Sequence, residues 1–435
     1  MLLAAVIACL GSFSVATAAD YTVNSADEFV TAWNQAAASN EASTITITVP
    51  SGSDNITLTQ EQRAQLNAIS GTGNVTVQMA DASNQLINFN YDLVNNQVSF
   101  NDITLKELPG SDNDIVVANA STTTTIDGRN IAIKGANDAA NPRTVGATVT
   151  STNGQVGIGD NVSMEKAVTV TGQATQTVDP ATTGQAYTRT TYNTYNNSNE
   201  QAVVLGNNVT MQDTVTATGQ IVSDPASKVT LNGDVTSTAG IGTVTTEQFD
   251  ASNTQTGKTV IDSMDDSVSG GIILGETTAG AVTLKTEGGN ISLGDNSVLD
   301  GTTVSAESAD LNKTVYSNDG GSWNTVASTE KLGTIEGSVT LGENTTVKGN
   351  STLTADDNIA IGNNSVITGN TAADGVISAG GQISIGDGTQ VLGNTATSDG
   401  KAAINLADGQ TLYIGSGAIL SGNTSNGVSG SVQAG

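Results

Sequence analysis

Carboxylates and a few basic side chains are the only groups in this 435-residue chain from which a catalytic site could be built. The sequence contains no histidine, which excludes Ser-His-Asp and Cys-His catalysis and removes the commonest metal ligand. Two adjacent acidic pairs, Asp265-Asp266 and Asp356-Asp357, are of the residue type that a two-acid glycosidase or a calcium site requires. Adjacent residues on a strand point to opposite faces, so we interpret both pairs as solvated carboxylates of turns.

The charge balance is strongly acidic. Lys and Arg number 14 against 42 Asp and Glu, a net charge of −28. Nucleic acids and anionic membranes both require a basic surface, so neither is an expected partner. The segment from Gly380 to Asp387 resembles a calcium-binding Gly-Gly-x-Gly-x-Asp nonapeptide but lacks its middle glycine. The sequence thus predicts no cofactor and leaves only a structural calcium ion open.

Aromatic residues are scarce, at 3% of the chain, and five residues in two polar segments form a candidate contact site. Rings on exposed loops are potential platforms for a glycan or a partner protein. The alternative is that these side chains pack back on the flank of the fold. The candidate residues are Tyr187, Arg189, Tyr192, Tyr195 and Trp323.

The first 18 residues have the pattern of a signal peptide. An apolar run leads to Ala16-Thr17-Ala18, a small-x-small sequence typical of a signal-peptidase site. We therefore predict export to the cell surface, the outer membrane or the extracellular space. Cys9 is the only cysteine, so the mature chain would lack disulfides, zinc-thiolate sites and cysteine nucleophiles. No other stretch approaches the roughly 18 to 20 apolar residues of a membrane helix.

The elements that must position the candidate side chains are predicted from repeats near the end of the sequence. Four near-copies share the pattern apolar-x-apolar-Gly-Asx-Asn-x-x-apolar-x-Gly-Asn. Their anchor glycines, Gly342, Gly362, Gly386 and Gly415, are about 20 to 29 residues apart. Such a period is typical of a solenoid.

Each repeat is predicted to form two short strands joined by a corner. Apolar residues two apart place both side chains on one face of a strand, and Gly-Asx-Asn supplies residues that tolerate positive φ. Stacked coils would bring equivalent asparagines above one another at about 4.8 Å, where their amides can form ladders. We therefore expect an all-β, single-stranded parallel β-helix. The residues expected to point inward after each corner are Val347, Val366, Val391 and Ile419.

Residues 19–70 differ from the rest and are predicted to form an N-terminal cap. Ser25 to Glu28 is a capping box, and apolar residues recur at helical spacing before the first strand patterns. The sequence predicts one short amphipathic helix here. A helix over the first coil would cover backbone groups that otherwise form an exposed edge. Residues 71–435 are then the parallel β-helix.

A longer repeat marks insertions in the middle of the chain. Residues 159–173 match residues 206–220 without a gap, an interval of 47 residues. This interval corresponds to two coils or to one coil with a long loop, and insertions explain it best. We predict polar loops near 176–200, 247–266 and 305–331, which leave the solenoid on one side and carry its contacts.

With its export signal, helix-capped start and Gly-Asx-Asn and Gly-Asn corners, the chain resembles the β-helical passenger domains of bacterial autotransporters and polymorphic outer-membrane proteins over residues 20–435. The resemblance implies a pectate-lyase-like right-handed β-helix in an elongated surface or secreted protein, often an adhesin. The family's Gly-Gly-Ala-Ile motif occurs only as the variant Gly270-Gly271-Ile272-Ile273, and no Phe-x-x-Asn is present.

Three functional hypotheses remain. The first is a non-enzymatic surface or adhesive solenoid that attaches to a glycan or protein on a host or environmental surface. The second is a carbohydrate-active β-helix enzyme, a polysaccharide lyase or glycoside hydrolase, which needs Asp and Lys or Arg converging from neighbouring coils. The third, binding of ice or a crystalline polymer, requires threonines in register over many coils, and the sequence does not show that register.

The last coil, which closes near Asn423, is expected to be uncapped. An uncapped coil presents an exposed edge of unpaired backbone groups. This end is therefore expected to fray, to associate end to end with another chain, or to join more protein.

Overall fold

The structure is a computed structural model of the chain. The predicted signal peptide, residues 1–18, lies outside the described residues. Described are residues 19–81, 83–89, 98–107, 114–117, 124–178, 184–195, 200–426 and 432–434.

Three long parallel sheets contain most of the strands, and the chain visits them in turn. Strand Gln201–Leu205 belongs to sheet I, Val209–Met211 to sheet II and Val215–Thr218 to sheet III. The next strand, Gln220–Ser223, returns to sheet I and pairs in parallel with Gln201–Leu205. One circuit is therefore one coil, and the predicted all-β architecture of stacked parallel strands is confirmed.

The strand bounds are as follows. Sheet I contains Asp114–Val117, Asn130–Ile133, Val156–Ile158, Gln201–Leu205, Gln220–Ser223, Gly270–Leu274, Gly289–Leu293, Val339–Leu341, Ile359–Ile361, Ile383–Ile385 and Leu412–Ile414. Sheet II contains Arg143–Val145, Val162–Met164, Val209–Met211, Lys228–Leu231, Glu276–Ala279, Val298–Asp300, Thr346–Lys348, Val366–Thr368, Gln390–Leu392 and Ile419–Ser421. Sheet III contains Asn55–Thr57, Gln85–Ile87, Thr104–Lys106, Thr125–Gly128, Thr148–Thr152, Val168–Thr171, Val215–Thr218, Val235–Thr238, Thr283–Glu287, Thr303–Glu307, Thr352–Ala355, Ile377–Ala379, Ile404–Leu406 and Val432–Ala434.

The N-terminal region combines a four-stranded parallel sheet with two helices. The helices are α1, Ala26–Ala37, and α2, Gln60–Ala64. Ser25 caps α1 by accepting a hydrogen bond from the backbone N–H of Glu28. The strands are Ala19–Val23, Ser43–Ile47, Val75–Met79 and Val98–Asn101.

An aromatic cluster joins α1 to the first coils. The rings of Phe29 and Trp33 on α1 lie 6.1 and 5.8 Å, centroid to centroid, from the ring of Phe89, which in turn lies 5.9 Å from Phe100. All four side chains are buried. The amphipathic face of the helix therefore packs on the widest side chains of the core.

The inward residues after the corners correct one detail of the expected pattern. Parallel register aligns Val347, Ile367, Val391 and Leu420 in one column. Ile367 is fully buried, whereas Ile419 is 50% exposed. Val366 and Ile419 are thus outward residues, because strand alternation counts from the anchor glycine and places the fifth residue after it, not the fourth, in the core.

The corners form as the repeat predicts. Asn161, Asn208, Asn296, Asn344 and Asn364 follow the anchor position with φ between 56° and 63°, the left-handed conformation that asparagine tolerates. Buried amide ladders also form: Asn394 accepts from Asn370 and donates to Asn423, at 2.9 and 3.0 Å. The expectation of asparagine ladders is confirmed.

The 47-residue interval is one coil with an insertion. Val156 pairs directly with Val203, and Ile291 pairs with Val339. The two residues of each pair therefore lie on successive coils, although the chain between them is about twice as long as in a coil without an insertion.

The prediction that the inserted segments are loops is wrong. They contribute strands to one six-stranded antiparallel sheet, which we call the side sheet. The physical reason is that neither face of this sheet packs into the core, so alternation of apolar and polar residues, the usual strand signal, is missing. In spatial order its strands are Thr175–Val178, Tyr187–Thr194, Gly240–Phe249, Gln255–Val268, Ala309–Asp319 and Ser322–Ile335. A two-stranded sheet, Thr371–Ala372 with Thr395–Ala396, completes the fold.

Candidate functional site

The side sheet holds the candidate residues, and antiparallel register decides which of them meet. Tyr187 is paired with Phe249, and Arg189 with Glu247. Because residues two apart share a face, Tyr187 and Arg189 lie on the same face as these partners. This face, which we call the aromatic face, brings together two of the five predicted residues.

Tyr187 and Arg189 enclose the ring of Phe249. The rings of Tyr187 and Phe249 are stacked, with centroids 4.8 Å apart and planes inclined by 11°. The guanidinium carbon of Arg189 lies 5.1 Å from the Phe249 centroid, a cation–π distance. Arg189 also donates from Nε to Oε2 of Glu247 at 2.8 Å, and Tyr187 donates its hydroxyl to Oδ1 of Asn253 at 2.5 Å.

The same face continues across the next two strands. Glu247 pairs with Lys258, and Lys258 pairs with Tyr316. The Lys258 ammonium nitrogen lies 4.8 Å from the centroid of the Tyr316 ring. Sequence reasoning missed Phe249, Lys258 and Tyr316, because only pairing between distant segments places them beside Arg189.

The other three predicted residues lie elsewhere. Tyr192 alternates to the opposite face, where it is paired with Val244 and is 36% exposed. Tyr195 lies at the root of the side sheet. Its ring packs so closely on Gly240 that a Cβ added to this glycine would lie 2.5 Å from a ring carbon. Trp323 is half-buried on the outermost strand. The five residues therefore do not form one site.

A groove lies where the side sheet meets sheet I. It has a volume of about 370 Å³. In its floor, Gly271 stands between Gln220 and Asn290 in one cross-strand row. Apolar side chains lie beside the amides, and two of them, Ile273 and Met264, are 39% and 50% exposed. The groove therefore offers hydrogen-bonding and apolar groups together, as ligand sites usually do.

One basic residue meets two carboxylates on neighbouring coils. The Lys285 ammonium lies 2.9 Å from Glu287 and 3.2 Å from Glu307. The hydrogen bond to Glu287, and to a smaller extent the one to Glu307, raises the pKa of Lys285 above its ordinary value. The arrangement stabilises the protonated lysine.

The acidic pairs act as hydrogen-bond acceptors in the framework. Asp266 accepts from the hydroxyl of Thr194 at 3.2 Å, and Asp356 accepts from the backbone N–H of Ser308 at 2.9 Å. Asp357 accepts from the hydroxyl of Ser338 at 2.9 Å. Within the described ranges, no group of three or more His, Cys, Asp or Glu side chains is arranged to hold a metal ion.

Comparisons with protein families, with curated proteins and with solved structures give no match. Among the helices that the structure describes, neither α1 nor α2 has the length and apolar character needed to cross a bilayer.

Proposed function

We propose that this chain is an exported, non-enzymatic β-solenoid that attaches to a surface, as an adhesin-like autotransporter passenger does. In this proposal the first 18 residues direct export, α1 caps the first coil, and the stack is a single-stranded β-helix that carries the contact surface. The partner is a glycan or protein on a host or environmental surface. The proposal draws on the resemblance of the coils to such passenger domains.

The observation that supports an adhesive role most is the side sheet. Six strands leave the coils and pair with one another, so both faces of the side sheet are open to solvent. The aromatic face displays paired rings and cations, and the opposite face displays Tyr192. Aromatic and arginine side chains dominate the binding energy of protein interfaces. The side sheet and the groove at its root are therefore the proposed contact surface.

The raised pKa of Lys285 argues against this lysine as the general base that the carbohydrate-active alternative could use. A lysine that acts as a general base needs a lowered pKa, so that it is neutral near pH 7. Glu287 and Glu307 have the opposite effect on Lys285. The cluster is better explained as an ion pair between coils.

In this proposal, end-to-end association involves the apolar side chains of strand Leu412–Ile414. Ile414 continues the inward column of Ile385 yet is 53% exposed, and Tyr413 beside it is equally exposed. At the other end, α1 and the aromatic cluster pack on the first coils. Association through the C-terminal coil would bury this apolar edge.

The test separates attachment from catalysis. Beads coated with the full chain are passed over cultured epithelial cells, mucin, collagen and cellulose, and the soluble chain is incubated with pectin, alginate and xylan. We expect bead retention on at least one surface and no release of reducing or unsaturated sugars. Sugar release, or the lack of retention on every surface, would contradict the proposal.

A further inference from the structure

One stretch of sheet III carries threonines that repeat both along each strand and from one strand to the next. Four successive strands, Thr148–Thr152, Val168–Thr171, Val215–Thr218 and Val235–Thr238, each contain the sequence Thr-x-Thr. We call the eight residues the threonine array: Thr150, Thr152, Thr169, Thr171, Thr216, Thr218, Thr236 and Thr238.

Parallel register aligns the array in two columns. In the first column Thr150 pairs with Thr169, Thr169 with Thr216, and Thr216 with Thr236. In the second column, Thr152 pairs with Thr171 and Thr218 with Thr238. Neighbouring strands lie about 4.8 Å apart, and residues two apart on a strand lie about 6.7 Å apart. The first column thus runs unbroken over four strands, and the second consists of two aligned pairs.

The array faces outward from a fixed support. The residues between its threonines, such as Val149, Val170 and Ala217, are buried in the core, whereas the threonines themselves are half-buried or exposed. The strands lie in the interior of a 14-stranded sheet, with strands paired on both sides. Because threonine is branched at Cβ, its χ1 is restricted, and methyl and hydroxyl groups are held in place along the columns.

Most of the hydroxyls are free to bind a ligand. Thr238 donates to the carbonyl of Ala217 at 3.4 Å. The other seven hydroxyls have no hydrogen-bond partner within the part of the chain that the structure describes. A lattice of free hydroxyls alternating with methyl groups can order water at fixed intervals in both directions.

Charge marks the borders of the array. Beyond Thr150 the first column continues with Asp127, and beyond Thr236 with Lys285. The array itself contains neither charges nor aromatic rings. A crystalline polysaccharide would be expected to stack on rings, and a charged partner would need charge inside the lattice. The chemistry that fits is a neutral, periodic surface of water molecules.

We propose that the threonine array binds the surface of ice. This goes beyond attachment through the side sheet, because it uses the outer side of sheet III, next to the root of the side sheet at Tyr195.

Sheet II provides a matched control for this proposal. Three of its successive strands carry one outward threonine each, and these residues, Thr210, Thr230 and Thr278, align in a single column. A single column repeats in one dimension only. Substitution of Thr230 therefore changes the same residue type in the same kind of ladder without touching the array.

The experiment measures incorporation of the full chain into slowly growing ice and inhibition of ice recrystallisation. We compare the wild-type chain with Thr169→Lys, Thr216→Lys and the control Thr230→Lys, and serum albumin serves as a protein that ice excludes. The wild-type chain and T230K should enter ice and inhibit recrystallisation. Each array variant should need at least about tenfold more protein for the same inhibition.

Three results would overturn the proposal: exclusion of the wild-type chain from ice, equal losses in T216K and T230K, or binding to crystalline cellulose or chitin that only the array substitutions abolish. Melting curves identify any variant that fails to fold. If one array variant fails to fold, the proposal is judged on the other array variant. Adhesion is measured above freezing and with side-sheet variants, so failure of either proposal leaves the other testable.

Discussion

The amide nitrogen of Asn370 donates to Oδ1 of Asn394 at 2.9 Å, and the backbone N–H of Asn370 donates to the same oxygen at 3.1 Å. Asn394 makes both bonds again with Asn423, at 3.0 Å each. Asn370 and Asn394 are fully buried. One side chain per coil thereby satisfies the corner of the preceding coil and fixes the distance between coils.

Replacement of Asn394 by leucine should destabilise the C-terminal coils by about 2–4 kcal/mol. The substitution leaves the backbone N–H of Asn370 without its partner and removes the bonds of the Asn394 amide to the Ile367 carbonyl and to Asn423; an unpaired buried polar group costs about 1–3 kcal/mol. Hydrogen exchange of residues 366–424 measures the effect. The control is Asn363→Leu at an exposed corner, where water can replace the lost bonds, with an expected cost below about 1 kcal/mol. Equal costs would contradict the role of the buried ladder.

Trp33→Ala should destabilise the N-terminal coils by about 3–5 kcal/mol, the usual cost of truncating a large buried aromatic residue. Trp33 is fully buried and contacts both Phe29 and Phe89. Urea unfolding followed by circular dichroism measures the loss. Trp323→Ala on the outer strand of the side sheet is the matched control and should cost less than about 1 kcal/mol. A small effect at Trp33 would mean that α1 is not held by this cluster.

Phe249→Ala should open the side sheet without loosening the coils. The substitution removes the Phe249 ring, and with it the stacking on Tyr187 and the cation–π contact with Arg189. These two contacts together contribute about 1–2.5 kcal/mol. Hydrogen exchange should accelerate in strands Tyr187–Thr194 and Gly240–Phe249 and stay unchanged in strand Val215–Thr218. Thr188→Ala, on the opposite face of the same strand, should have little effect. Acceleration in the coil strand would show that the two parts unfold as one unit.

The ion pairs of Lys285 should stabilise the fold at neutral pH and fail at alkaline pH. Its pKa is raised in the folded state, so the contribution is complete below the unfolded pKa and disappears as pH rises through the folded value. The stability difference between the wild-type chain and Lys285→Met should be constant from about pH 6 to 9 and shrink above about pH 10.4. Thermal unfolding across this range measures it. A difference that shrinks below pH 9 would contradict the assignment.

Corners and core were predictable because their signals are local. Gly362, Asn364 and Asn370 recur at fixed places in each repeat, and each residue type has its own reason to be there: tight packing, positive φ or a buried ladder. The inward residue was misjudged in two copies because two apolar residues, such as Val366 and Ile367, stand side by side there.

The candidate site was less predictable because its contacts are distant in sequence. Tyr187 meets Phe249 across about 60 residues, and Lys258 meets Tyr316 across a similar distance. Side-sheet strands are polar on both faces, so their composition resembles that of loops. The sequence pointed to the correct segments, and only pairing separated Tyr192 and Trp323 from Arg189.

The central claim is that the side sheet, and not the coils, makes the adhesive contact. The most direct test compares bead retention under flow for charge-matched variants on the surface that the wild-type chain binds. Tyr192→Glu and Val326→Glu lie on opposite faces of the side sheet, and Thr278→Glu and Thr340→Glu are exposed positions on the coils. We predict at least about tenfold lower retention for one or both side-sheet variants, which is about 1.4 kcal/mol or more of binding free energy, and unchanged retention for the coil variants. Undiminished retention of both side-sheet variants, or an equal loss in the coil variants, would contradict the claim.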